Sequence, residues 1–335
     1  MDNQQLMAGL LEQVKGEAAK IDRCMRQDQA LFGPDIDELL SAVLEYGLFN
    51  GGKRIRPFLT VLAGRLCTVE NERIYQLGIA FEYLHAATLF HDDIIDGSAT
   101  RRGKLSVHKK FGVVSAILAG DFLHAHAMDI VGQMAGKDGL ASFCRATKGM
   151  AEGEFMQLRN AQKHNLSELD YYNAIMGKTG LLIAAACEVG AMFGGGNGDQ
   201  VKALKSYGEN LGCAFQVTDD LLDYLGNPEK TGKAVGNDLA EGKMTLPLIL
   251  AIDRAGTDDR NRLLTIISSE EIRRDGLLET VELIDRYDGF VTARQQAEDA
   301  SRRAVDNLRI FTSPRMEKEK MVLESLASYV VMREK

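Results

Sequence analysis

Two three-aspartate clusters constrain this chain more than any other feature. Asp92-Asp93-Ile94-Ile95-Asp96 and Asp219-Asp220-Leu221-Leu222-Asp223 share the spacing D-D-x-x-D, each inside an apolar stretch. Residues four apart lie one turn above each other on a helix, so the outer carboxylates of each cluster stack, with the middle one about 100° around the axis. Two such charges ~4 Å apart repel by roughly 4 kcal/mol at an effective dielectric near 20. Three in one turn of an apolar helix therefore call for cations or raised pKa values. Acids capping a helix start and complementing its dipole would account for one cluster; the repeat of the spacing argues instead for two cation-binding claws. Hard oxygen donors with no cysteine nearby favour Mg²⁺, completed by water and phosphate oxygens, over zinc or a softer metal. A diphosphate held between two such claws is the expected ligand.

The remaining sequence supplies the helices that such claws need. With 45% hydrophobic residues over 335 positions, and few prolines to interrupt them, the chain can bury a large core, as one or two domains by length alone. A formal net charge of -8 and the lack of a basic stripe argue against a nucleic-acid partner. The five cysteines (Cys24, Cys67, Cys144, Cys187, Cys213) form no C-x-x-C pair, and their odd number suits reduced thiols in a cytoplasm. Met1-Asp2-Asn3-Gln4 does not open a signal sequence, and no stretch reaches the ~18 uninterrupted apolar residues of a membrane span. A soluble, cytoplasmic protein without a transmembrane segment is expected.

Apolar spacing predicts helices over 6–31 and 35–48, separated by Gly33-Pro34. Gly51-Gly52 closes the second, and Lys53-Arg54-Ile55-Arg56-Pro57 opens a third, with Pro57 suited to the first helical position. Lys53 and Arg56 then flank a helix N-terminus whose N–H groups favour anions. Residues 74–96 read as a buried helix ending in the first claw, with Thr88, His85 and Phe81 stacked beneath Asp92. The loop 97–103 carries Arg101-Arg102, suited to bidentate contact with phosphate. Helical patterns over 111–133, 139–158 and 166–189 follow. The second buried helix, 200–224, sets Gln216 one turn before Asp220. In 226–243, Lys230, Lys233 and Lys243 alternate with Asp238 and Glu241, a composition able to fold over a polyanion. Amphipathic helices fill the rest, strand signals are scarce, and no period of roughly 20–50 residues recurs. The fold class is all-α.

Three motifs mislead. Asp121, His124, His126 and Asp129 resemble metal ligands, but His124 and His126 point about 200° apart on a helix and are read as ordinary polar positions. Gly177-Lys178-Thr179 resembles the end of a P-loop, yet Tyr172 stands where that motif needs its first glycine. The glycine run 194–198 is an interhelical loop.

Taken together, the motifs resemble those of the trans-isoprenyl diphosphate synthases, the polyprenyl synthetase family, and of its long-chain octaprenyl-type members in particular. The likeness runs from about Gly51 to the Arg333-Glu334-Lys335 tail, through GGKRIRP from Gly51, HDDIID from His91, RRGK from Arg101, GKT from Gly177, FQVTDDLLD from Phe215 and GNDLAEGKMTLPL from Gly236. It implies one domain over 1–335, its first 50 residues poorer in motifs, built as a bundle of long helices around a central cavity with both aspartate motifs at the mouth. It also implies a homodimer. Asp92, Asp96 and Asp219 would be the main Mg²⁺ ligands, with Asp93, Asp220 and Asp223 completing or orienting the set around three ions bridged by the allylic diphosphate. Lys53, Arg56, His85 and Arg102 match positions that hold isopentenyl diphosphate; Arg101, Lys178, Thr179, Gln216, Lys233 and Lys243 match those that hold the allylic diphosphate.

The implied reaction ionises the allylic C–O bond, with Mg²⁺ and cationic side chains stabilising the leaving diphosphate. The cation alkylates isopentenyl diphosphate held beside it, and a proton leaves to the released diphosphate. Gln216 and Thr179 would shield the cation, and water must be excluded. Product length would depend on the tunnel below Asp92. Ala87 and Thr88, where short-product members often carry an aromatic residue, leave its upper part open; Leu84 and Phe81 lie deeper, with Phe81 as a floor. A long, octaprenyl-class product for quinone side chains is therefore expected, with a geranylgeranyl- or farnesyl-type product as the alternative, and transient membrane contact could draw long products out. A terpene cyclase or squalene-type enzyme would have no use for the Lys53, Arg56, His85 and Arg102 set. A regulatory subunit of a heteromeric synthase would usually lose one aspartate motif, and both are kept.

Overall fold

Nearly every apolar stretch folds as a helix, since apolar residues at helical spacing give each segment a stripe that another helix can cover. A computed structural model describes residues 3–32, 35–67, 71–226 and 235–333. The helices are α1 (Asn3–Phe32), α2 (Glu38–Leu48), α3 (Ile55–Cys67), α4 (Arg73–Ile95), α5 (Val107–Phe111), α6 (Val113–Lys163), α7 (Glu168–Ile175), α8 (Leu181–Phe193) and α9 (Gly198–Leu225). Then come α10 (Asn237–Ala240), α11 (Leu246–Arg254), α12 (Thr257–Ser268), α13 (Glu270–Asp275), α14 (Leu277–Arg286), α15 (Gly289–Asn307) and α16 (Glu317–Met332). The sheet among the described residues is a hairpin of two-residue strands, with Thr100 opposite Leu105 and Arg101 opposite Lys104. It turns at Arg102 and Gly103, both at positive φ.

Three boundaries differ from expectation for local reasons. α3 begins at Ile55, so Pro57 takes its third position rather than its first; the first-turn N–H groups have no intrahelical acceptor, so proline is tolerated there as well. α6 unites the helices expected over 111–133 and 139–158 but kinks at Gly136 (φ 64°, ψ -161°), where only glycine is at ease. The helix expected over 166–189 is interrupted by a π-helical turn, Met176–Gly180, between α7 and α8.

The chain divides into two compact units. The first comprises Met1–Arg145, Ala185–Leu204 and Phe311–Lys320. Its centre is α4, buried nearly all round through Ile79, Phe81, Tyr83, Leu84 and Ala87, with α3 and α1 packed on it. Polar ties fix α1 there. Tyr75 donates to Glu17 at 2.5 Å and receives a hydrogen bond from Arg65 at 2.8 Å. Asp28 accepts from Tyr83 at 2.9 Å and pairs with His126 at 2.7 Å; His126 is thus a packed polar residue, lying against Phe32 and Phe122.

The second unit comprises Ala146–Ala184, Lys205–Ile310 and Met321–Lys335. Its core gathers Val217, Leu221 and Tyr224 of α9 with Leu246, Leu248 and Ile249 of α11 and Ile284 and Phe290 of α14 and α15. Among the described residues, two helical stretches are long and apolar enough to cross a membrane by length and composition. The one over 168–193 is 72% buried within its apolar window, as a core helix is. In the apolar window of α6 only 33% is buried, and Val114, Ile117 and Leu118 are exposed.

Candidate active site

In the first unit, the chain enters α3 through a loop of left-handed residues: Gly51 (φ 81°), Gly52 (φ 150°) and Arg54 (φ 50°). Lys53 on this loop is exposed. Arg56 lies in the first turn of α3, and its Nε is buried without a hydrogen-bond partner, an arrangement that costs free energy unless an anion or water supplies an acceptor. His85 of α4 faces the same cluster. Burial, then the positive charges of Arg56, Arg102, Arg101 and Arg54, hold its imidazole well below the usual histidine range. His85 is therefore neutral near pH 7. Arg102, from the hairpin turn, donates to the Gly51 carbonyl. Burial also pushes the Arg56 and Arg102 guanidiniums down, with Glu82 opposing. A partly buried group of cations with an unmet donor is a site for an anion.

The first claw ends α4. Asp93 is buried and clasped by Arg101, whose Nε reaches both carboxylate oxygens at 2.9 and 3.0 Å and whose Nη2 lies 2.7 Å from Oδ1. Asp93 thereby sets the orientation of Arg101. Asp92 is half-buried, and Asp96, the C-cap residue, is exposed. Below them on α4, Ala87, Leu84 and Phe81 are buried and Thr88 donates to the His85 carbonyl at 2.9 Å. The Phe81 ring meets Phe143 edge-on, with centroids 5.5 Å apart.

In the second unit, the π-helical turn presents Lys178 and Thr179. Glycines allow its approach to α6: a Cβ on Gly153 would lie 2.5 Å from the Lys178 backbone nitrogen, and one on Gly177 would lie 2.8 Å from the Gly149 carbonyl oxygen. Lys178 pairs with Glu154 at 2.8 Å. Thr179 donates to Gln216 at 3.1 Å, and Gln216 donates to Asp220 at 3.2 Å. Asp220 is buried and also accepts from Tyr171 at 2.6 Å. Burial, then the charge of Asp238, raises its carboxyl well above the usual range. Asp223 accepts the Asp238 N–H at 2.9 Å and is pushed up to about 6 by burial and by Asp238. Asp219 pairs with Arg333, which lies over the Phe215 ring, 4.1 Å from its centroid. Lys243 reaches Asp238 at 3.0 Å and Glu241 at 2.7 Å. Lys230 and Lys233 lie outside the described residues.

Both claws occupy the last turns of their helices, α4 and α9. The helix dipole is partly negative there and disfavours carboxylates, so capping a helix start explains neither. Among the described residues, no three His, Cys, Asp or Glu side chains converge on a common point. Each claw is instead an open set of hard oxygen donors. Arg54, Glu82, Tyr171 and Arg333 join these networks although the sequence reading gave them no part. Arg54 was visible within GGKRIRP; the others act across 28 to 114 residues of separation, beyond the reach of local spacing.

Residues 37–284 match the family model described as "Polyprenyl synthetase". An octaprenyl diphosphate synthase of Haemophilus influenzae is 37% identical over 79% of this chain and 80% of its own length. A geranylgeranyl diphosphate synthase of Saccharolobus solfataricus is 34% identical over 85% of this chain and 87% of its own. Among solved structures, a polyprenyl synthase from Caulobacter crescentus CB15, complexed with calcium and isoprenyl diphosphate, superposes with a TM-score of 0.87 at 35% identity over 98% of both chains. With a family model matched across most of its length and relatives named as prenyl diphosphate synthases, this all-α chain belongs to the polyprenyl synthetase family and is a prenyltransferase.

Proposed function

We propose that the chain condenses isopentenyl diphosphate head-to-tail (1'-4) with an allylic diphosphate to make a long, all-trans polyprenyl diphosphate of the octaprenyl class. The observation that carries this reading is the cationic cluster of the first unit, where the buried Arg56 Nε lacks an acceptor and His85 is neutral. Such a cluster suits a diphosphate in addition to any bound through the claws, and only an enzyme that joins two diphosphates needs it. Lys53, Arg56, His85 and Arg102 hold isopentenyl diphosphate in this scheme. Arg101, Lys178, Thr179, Gln216, Lys233 and Lys243 hold the allylic diphosphate.

The claws' paired carboxylates, with no thiolate among them, fit Mg²⁺. Asp92, Asp96 and Asp219 would hold it, three ions in all, with Asp93, Asp220 and Asp223 orienting the set. Bound there, Mg²⁺ supplies positive charge against the departing diphosphate. The chain's own residues do the rest. Arg101, fixed by Asp93, and Lys178 grip the leaving group; Thr179 and Gln216 turn their dipoles towards the allylic carbon; the isopentenyl set holds the double bond in reach. The proton lost from the new chain goes to the released diphosphate.

Small residues at Ala87 and Thr88, with Phe81 about three turns below Asp92, favour the octaprenyl class. A geranylgeranyl product is the second reading, since the curated relatives include that activity at comparable identity. The family match runs through both compact units, which supports one functional domain over 1–335. The exposed apolar face of α6 supports a homodimer, and we take the enzyme to be soluble and cytoplasmic, touching membrane only to release product. The test is to incubate the purified chain with Mg²⁺, farnesyl diphosphate and excess labelled isopentenyl diphosphate and separate the dephosphorylated alcohols. A discrete long product is expected. Arrest after one addition makes this a geranylgeranyl enzyme, and no elongation at all rejects the reading.

A further inference from the structure

One guanidinium of the cationic cluster has no part in this scheme. Arg54 stands between Lys53 and Arg56 but is 5% exposed and fully engaged. Its Nε donates to Asp22 at 2.8 Å, its Nη1 to Glu82 at 2.7 Å and its Nη2 to the Leu48 carbonyl at 2.7 Å. These contacts reach α1, α4 and α2. The left-handed backbone at Arg54 (φ 50°) is unfavourable for an L-residue and persists only where the surroundings over-determine it. The Arg54 carbonyl accepts from the Phe58 N–H at 3.1 Å, so this residue fixes the start of α3 and with it the place of Arg56. A Cβ on Gly52 would lie 3.0 Å from Arg102 Nη1 and 3.2 Å from Arg54 Nη1, which shows how closely the two guanidiniums pass the loop.

Glu82 is the other half of the device. It is buried and lies three residues before His85, on the same face of α4. A buried carboxylate among guanidiniums pairs with whichever reaches it, and here Arg54 does. Among the described residues, neither Arg56 nor Arg102 has a carboxylate within ion-pair distance, and Arg56 Nε keeps its unmet donor.

Resting on the synthase reading, we propose that Arg54 is a positioning residue of the isopentenyl diphosphate subsite. It engages Glu82, so that this carboxylate does not close on Arg56 and Arg102 and both guanidiniums stay open to a diphosphate. Arg54 itself touches no substrate; it acts through Glu82 and through the loop backbone.

Wild type, Arg54→Met, Glu82→Gln and the double variant are compared by KM for isopentenyl and farnesyl diphosphates and by calorimetric Kd for isopentenyl diphosphate. Arg54→Met should raise KM and Kd for isopentenyl diphosphate about tenfold, about 1.4 kcal/mol, with the farnesyl diphosphate KM within about twofold. Glu82→Gln breaks the same pair from its other side, yet should leave that Kd unchanged or tighter, and the double variant should recover most of the loss. A purely scaffolding pair predicts that both single variants weaken binding alike, and that result overturns the proposal. If Arg54→Met does not fold, Glu82→Gln decides alone: weaker isopentenyl diphosphate binding sinks the idea. Failure of the underlying reading looks different, since wild type would then neither bind isopentenyl diphosphate nor elongate a primer.

Discussion

Replacing Phe81 with alanine asks whether α4 measures the product. The ring is fully buried, and its contact with Phe143, at 5.5 Å between centroids, holds it in place. Truncating a buried phenylalanine costs roughly 3–5 kcal/mol, of which the ring–ring contact accounts for about 0.5–1.5 kcal/mol. Against a typical domain stability of about 5–15 kcal/mol, the variant stays folded at assay temperature with Tm lowered by roughly 5 °C. The emptied space is about one ring across, and interiors packed to crystal density have no other slack nearby. A prenyl chain growing down α4 can enter it, so the product should lengthen by about one isoprene unit or more. Filling that space restores apolar contact at roughly 25 cal/mol per Å², so adding a long-chain polyprenyl diphosphate should narrow the Tm gap between variant and wild type. The assay separates labelled dephosphorylated alcohols from parallel incubations, alongside far-UV spectra. A folded variant with an unchanged product distribution refutes the reasoning and puts the floor elsewhere.

Three further outcomes follow from contacts described above. Gly153→Ala sets a methyl 2.5 Å from the Lys178 backbone nitrogen, so it should cost about 1–3 kcal/mol by overpacking and lower kcat by displacing Lys178 and Thr179; full activity at unchanged Tm would contradict the close approach of α6 to the π-helical turn. Tyr171→Phe removes the 2.6 Å hydrogen bond to buried Asp220 and should cost about 1.5–3 kcal/mol in denaturant unfolding, with a loss under about 0.5 kcal/mol showing that the bond carries little. Glu17 is desolvated, which alone would raise its pKa, but hydrogen bonds from Tyr75 and Lys20 and the charge of Arg65 outweigh this and lower it from 4.5. A depressed carboxyl contributes stability that is present above pH 4.5 and lost as pH falls through the lower folded value. Glu17→Gln should therefore be less stable at pH 7 and show a shallower fall of stability below pH 5 or so; parallel curves would show that Glu17 is not the titrating group.

Much of this molecule is legible in its sequence because periodicity and burial carry local information. The buried helices over 74–96 and 200–224 appear as α4 and α9 within a residue or two, and the break near Gly136 lies where the apolar pattern lapses. The π-helical turn at Met176–Gly180 was not legible, since a single wider turn leaves the apolar spacing almost unchanged. Charge pairing was hidden for another reason. The clasp of Asp93 by Arg101 is short-range and could have been guessed from HDDIID and RRGK, but Arg54 with Glu82 and Arg333 with Asp219 depend on how helices pack.

The position of the claws has a consequence for the life of the protein as well as its chemistry. Within each claw, carboxylates gathered at the C-terminal end of one helix, α4 or α9, repel their neighbours in the same cluster and that helix end, and this opposes folding whenever nothing offsets their charge. Any ligand that binds there only in the folded chain returns the difference by mass action, about 2.7 kcal/mol at a hundred times its dissociation constant. A change of that size shifts the unfolded fraction that proteases meet by about a hundredfold. The steady amount of this enzyme in a cell should therefore rise with its substrate supply, without any change in synthesis.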